Sequence, residues 1–139
     1  MDGTGEAAFV IAVDTNLIVR LVVMDDDRQL ELARQVFEDQ PVYVPAIALL
    51  ETVWVLTRKY LYPRDAVLQS LDAVFALGSI TLENEPLTRW ALDRFARGAD
   101  FGDMLLLVAA REQDAFVTFD TGIARRAGPQ APVTVRALT

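Results

Sequence analysis

Apolar and polar positions fall in blocks along this chain, and the length of each block separates strands from helices. "FVIAV" (9–13) is a short β-rich apolar run that stops abruptly at Asp14. It predicts a strand followed by a helix start over "TNLIVRLVV". In "DDRQLELARQVFEDQ" the apolar residues Leu30, Ala33, Val36 and Phe37 recur at helical spacing on a charged background, the stripe of an amphipathic helix. "VYVP" (42–45) reads as a second strand, and "AIALLETVWVLTRKYL" as one long, nearly all-apolar helix broken at Tyr62-Pro63. Pro63 suits the first turn of the next helix, "RDAVLQSLDAVFAL". "SITLE" (79–83) predicts a third strand, "EPLTRWALDRFARG" a helix closed by Gly98, and "ADFGDMLLLVAA" (99–110) a further helix. "AFVTF" (115–119) reads as a fourth strand ending at Asp120, and "VTVRAL" (133–138) as a fifth. Strands alternating with helices predict an α/β sandwich with a mainly parallel sheet. Ligands of such sheets bind beyond the carboxyl ends of the strands, the edge on which Asp14 and Asp120 fall.

At 139 residues the chain suits one domain, over 9–139, after a short flexible tail at 1–8. It has no cysteine and no histidine. That double absence excludes Ser-His and Cys-His nucleophile systems and zinc sites built on His or Cys. Hydrolytic chemistry must then rest on carboxylates, hydroxyls, arginine or a hard metal bound through oxygen. The longest apolar runs, "AAFVIAV" and "MLLLVAA", have seven residues, far short of the ~20 that a membrane span needs. The amino terminus "MDGTGEA" carries no basic residue ahead of its apolar stretch, unlike a signal peptide. A cytoplasmic protein with no membrane association is expected. The net charge of −7 argues against indiscriminate nucleic-acid binding, but not against a local basic rim. Lys59 is the only lysine among 13 basic residues, and arginine is the better fork for phosphate.

Four acids lack a good local explanation. Glu51 has Ile47, Ala48, Trp54 and Val55 as its helical neighbours, so no cation on its own helix pairs with it. Buried alone, a carboxylate there would cost several kcal/mol, roughly the price of desolvating an ion. It must face water, a distant arginine or a metal. Asp103 is followed on its helix by Leu106 and Leu107, and the nearest charge behind it is Asp100, of the same sign. Asp100 suits the N-cap. Asp14 either caps the helix after it or serves a site. Asp120 caps the turn "TGIARR", pairs with Arg125 or Arg126, or serves the same site. By contrast "DDD" (25–27), Glu31, Glu38, Asp39, Asp72 and Asp93 read as solvated surface. Four like charges gathered together repel unless cations intervene, and Mg²⁺ or Mn²⁺ would resolve the conflict while leaving room for water and phosphate oxygens.

In this order and at these separations, "AVDTNLIVRLVVMDDDRQ", "VPAIALLETVWVL", "GADFGDMLLLVAA" and "FVTFD" resemble PIN-domain ribonucleases of the VapC toxin type, over roughly Val10 to Gly128. The resemblance implies a three-layer α/β/α sandwich with a central, mainly parallel sheet. It implies an endoribonuclease in which Asp14, Glu51, Asp103 and Asp120 bind Mg²⁺ or Mn²⁺ and cleave RNA. Asn16 and Thr118 would orient the carboxylates, and Asp100 would cap the helix or stand just outside the metal. It further implies homodimerisation and a cognate VapB-type antitoxin whose arginine enters the acidic site. Arg20, Arg89, Arg94, Arg97, Arg125 and Arg126 are candidates for a basic rim, and a single-stranded loop is the RNA form that suits such a protein. "DMLLL" carries bulkier residues after Asp103 than the small ones often found there.

Two other classes fit less well. A haloacid-dehalogenase-like phosphatase wants a second Asp where Asn16 stands, and a receiver domain wants a late strand-end lysine that the chain lacks. A catalytically silent module of the same fold, binding RNA or protein, is the alternative that metal titration separates.

Overall fold

A computed structural model describes residues 9–139; the tail expected over 1–8 lies outside the described residues. Five short strands, β1 (Ile11–Ala12), β2 (Val42–Val44), β3 (Ile80–Leu82), β4 (Phe116–Thr118) and β5 (Val135–Ala137), alternate with seven helices among the described residues. The helices are α1 (Thr15–Val23), α2 (Asp27–Asp39), α3 (Ala46–Trp54), α4 (Arg64–Phe75), α5 (Glu85–Ala96), α6 (Phe101–Ala109) and α7 (Ile123–Ala127). Every strand pairing is parallel, as the alternation predicts: β1 with β2, β2 with β3, and β4 with β5. The ladders form two sheets, β1-β2-β3 and β4-β5, where one central sheet was expected. The strands are shorter than their apolar runs because the chain leaves each one early to start a helix; Asp14 already caps α1 two residues after β1 ends.

Helix starts follow the acids. Asp14 accepts from the Leu17 amide, Asp26 from Gln29 and Asp100 from Asp103, each satisfying an amide that has no partner in the first turn. The start of α3 has no such side chain. Glu83, from the far end of β3, reaches across 37 positions and accepts the Ala46 amide at 2.8 Å. Helix α5 ends as expected at Gly98, which adopts φ +109°. The amides of Gly98 and Ala99 donate to the carbonyls of Phe95 and Arg94, a glycine-terminated closure that ordinary residues resist.

The long helix expected over "AIALLETVWVLTRKYL" is α-helical only to Trp54 and continues as a π-helical turn over Val55–Lys59. Thr57 explains the change. Its hydroxyl donates to the carbonyls of Val53 and Trp54, and the Tyr60 amide reaches back five residues to Val55, the wider turn that such competition favours. Pro63 is the N-cap of α4 rather than its first helical residue. The segment "TGIARR", read as a turn, runs into the five-residue α7, which ends at Ala127.

Phe37 of α2, Leu49 of α3, Leu71 of α4, Met104 and Leu107 of α6 and the two valines of β2 are all buried in one core. Burial of such side chains contributes about 1.5–3 kcal/mol each, which is why α3 and α6, the most apolar helices, pack against each other. Among the described residues no helix is long and apolar enough to cross a membrane.

Candidate active site

The acids that the sequence singles out arrive in two groups. The first lies where α1 meets α3. Asp14 spends one oxygen on capping α1, and its neighbour Thr15 donates a hydroxyl hydrogen bond of 2.9 Å to Glu51. Glu51 is exposed and faces water and a hydroxyl, with no arginine against it among the described residues. Thr15 is a site residue that sequence reasoning missed; its partner lies 36 positions away and no local spacing announces it.

The second group lies at the mouth of α6. Asp100 is the N-cap, its Oδ2 accepting from the Asp103 amide at 2.9 Å. Gly102 makes room for that carboxylate, since a Cβ there would stand 3.1 Å from Asp100 Oδ2 and 3.4 Å from Leu50 of α3. The Asp103 carboxyl accepts no hydrogen bond from the described residues, and its pKa is raised above the ordinary value. Burial is the largest cause, followed by the negative charges of Asp100 and Asp120, with Arg126 opposing. Asp120 comes from the end of β4. Its amide donates to Thr118 Oγ1 at 3.0 Å, its Oδ1 accepts the Gly122 amide at 2.8 Å, and its Oδ2 is paired with Arg126. The hydroxyl of Thr118 therefore holds Asp120 through its backbone rather than its carboxylate.

The expected convergence of Asp14, Glu51, Asp103 and Asp120 on one point is not what the side chains do. Among the described residues no three acids stand close enough to hold a metal ion. Both oxygens of Asp120 are engaged, Oδ1 by the amide of Gly122, the N-cap of α7, and Oδ2 by Arg126 within it. Asn16 is exposed on α1 and lines a groove between α1 and α2 with Arg20, Gln29 and Leu32; no hydrogen bond among the described residues ties it to an acid. The donor chemistry nevertheless suits a hard divalent cation. Only carboxylate and hydroxyl oxygens are offered, and Asp103 is a charge short of compensation.

A groove of about 600 Å³ opens beside the second group, walled by Ile47, Leu50, Trp54 and Leu106 with Asp100 and Asp103 at one end. The candidate basic rim is largely spoken for. Arg20 pairs with Asp25, Arg89 with Glu85 and Arg97 with Asp93, while Arg94 donates to the carbonyl of Arg126. Arg125 is the member with no such partner among the described residues.

Arg64 holds this end of the molecule together. Its Nη1 donates to the carbonyls of Phe95 at 2.8 Å and Ala99 at 2.7 Å, and its guanidinium lies 4.5 Å from the centre of the Phe95 ring. It ties α4 to the turn that delivers Asp100. Replacing Arg64 with Met keeps the stem and removes both bonds, and should cost about 1–2 kcal/mol because the group is partly solvated. A thermal melt should show a fall of about 4–8 °C; an unchanged melt would deny the tie any energetic role.

Parallel strands flanked by helices, with acids just past the carboxyl ends of β1 and β4, define an α/β module. A family model for the PIN domain matches residues 11–129, and the chain belongs to the PIN domain family. No curated protein matches the chain.

Proposed function

We propose that this PIN domain is a metal-dependent endoribonuclease of the VapC toxin type. The observation that carries the reading is the match to the PIN domain family over residues 11–129, with Asp14 and Asp120 just past the carboxyl ends of β1 and β4. Asp14, Glu51, Asp103 and Asp120 would hold Mg²⁺, or Mn²⁺ in its place. The ion supplies Lewis acidity toward a phosphodiester and a water made nucleophilic near neutral pH. The chain's own residues prepare the acids. Thr15 orients Glu51, Thr118 fixes the backbone of Asp120, and Asp100 secures the first turn of α6 so that Asp103 is free to serve the site. Asn16 stands one residue past Thr15 and completes the polar surround.

A cytoplasmic setting, a homodimer and a VapB-type antitoxin belong to the same reading. Exposed Ile47, Trp54 and Leu106 support a second copy of the chain against α3 and α6, since apolar surface beside a polar site favours association. An antitoxin arginine suits the uncompensated charge at Asp103. The silent PIN module binding RNA or protein is kept as a second reading, because Asp120 is already engaged by Arg126.

The test is incubation of the purified protein, free of any partner, with structured and single-stranded RNAs in Mg²⁺, Mn²⁺ or EDTA. Cleavage with either ion and none in EDTA is expected. Intact RNA in every lane, together with no Mn²⁺ uptake by the folded protein in calorimetry, would leave the silent module.

A further inference from the structure

Arg126 is placed with more care than a surface ion pair requires. Its Nη2 donates to Asp120 Oδ2, and its carbonyl is held by Arg94 Nε at 2.8 Å, which pins the end of α7. Gly122 lies under the guanidinium. A Cβ at that position would come within 2.6 Å of Arg126 Nη1 and 3.5 Å of Asp120 Oδ1, so a side chain at 122 would make the guanidinium shift from its present position on Asp120. The same cation partly offsets the repulsion that Asp103 feels from Asp100 and Asp120. A single guanidinium therefore acts on both Asp103 and Asp120.

We propose that Arg126 is the resident cation of the acid site: it occupies Asp120 until a divalent ion displaces it, and once displaced it binds the phosphodiester of the RNA. The inference rests on the nuclease reading given above. A guanidinium paired with Asp120 and a divalent ion compete for the same negative charge, so the Arg126 pair weakens Asp120 as a metal ligand. Arginine is well suited to the second role, because its forked donors match two phosphate oxygens and α7 keeps it beside the acids.

Two substitutions separate the roles. Arg126→Gln removes the cation altogether. Gly122→Ala leaves the charge but sets a methyl against Nη1, which should displace the guanidinium and weaken its pair with Asp120, and φ −100° at residue 122 accommodates alanine. Mn²⁺ binding to the full chain, followed by calorimetry and electron paramagnetic resonance with Asp103→Asn as the baseline, should tighten about three- to tenfold in both variants, the scale of a partly exposed charge pair. Affinity for a single-stranded RNA, measured by fluorescence anisotropy in Ca²⁺ to suppress cutting, should fall about three- to tenfold in Arg126→Gln and stay within about twofold of the wild type in Gly122→Ala. Circular dichroism establishes that each variant is folded, and if Arg126→Gln is not, Gly122→Ala still decides the competition. Equal Mn²⁺ affinity in the wild type and the folded variants would overturn the proposal while leaving the metal reading intact. No Mn²⁺ binding by any of them, the wild type included, would overturn the metal reading and this inference with it.

Discussion

Asp103→Asn is expected to lower metal-dependent RNA cleavage by about 10²–10³-fold or more while leaving the fold in place, the scale on which loss of one charged or aligned group at a reacting centre is felt. The substitution keeps the size of the side chain and the amide that Asp100 caps, so helix α6 loses no hydrogen bond. Its effect on stability has a definite sign with pH. The Asp103 carboxyl has its pKa raised above 3.8 in the folded protein, so the native state holds that proton more tightly than the unfolded chain does. Below 3.8 both states are protonated and the group is neutral in its effect. As pH rises from there through the raised value, the wild type gains a charge that its surroundings disfavour and loses stability relative to the variant, and above that value the difference is constant. Chemical denaturation of the two proteins from pH 3.5 to 7 should therefore show the variant gaining on the wild type. Mn²⁺ should reverse the order by stabilising the wild type alone. Full cleavage by the variant would remove Asp103 from the site.

The residues that were legible in the sequence are those whose reasons are local. An acid three positions ahead of an amide at the start of an apolar helix predicts a cap, and Asp14 and Asp100 make that bond; Asp26, read with "DDD" as solvated surface, caps α2 in the same way. Gly98 after a charged helical face predicts a left-handed closure, which it makes. Glu51 was rightly read as having no cation on its helix, yet the hydroxyl it does accept comes from Thr15, on another element. Glu83 and Arg64 were invisible for the same reason, since each acts over more than 30 positions. The basic rim is a different case, because part of its signal was local. Glu85 precedes Arg89 by four residues, as Asp93 precedes Arg97, a spacing that pairs them on one helix face and takes them out of any groove. The break after Trp54 depended on one hydroxyl, that of Thr57, and apolar periodicity alone says nothing about where such a hydroxyl will donate.

Gly78→Ala should be the most damaging single methyl in the chain. Gly78 lies in the turn between α4 and β3, and a Cβ there would stand 2.3 Å from the carbonyl oxygen of Phe37, in the last turn of α2. That oxygen belongs to the backbone, so no side-chain rotation relieves the overlap. Phe37 is fully buried and resists movement, which leaves β3 to retreat. Alanine gains about 0.4–1 kcal/mol by restricting the unfolded chain, whereas overpacking against an immobile neighbour costs about 1–3 kcal/mol and more when backbone must shift. The second term wins, for a net loss of about 2 kcal/mol and a fall of about 6–10 °C in the melting temperature. Because β3 pairs with β2 and carries Glu83, the cap of α3, the displacement would reach the helix that presents Glu51. Amide exchange at Ala46 should accelerate in the variant relative to amides of α5, whose start at Asn84 is closed by its own backbone. A melt at or above the wild-type temperature would mean that the turn relaxes without moving the strand.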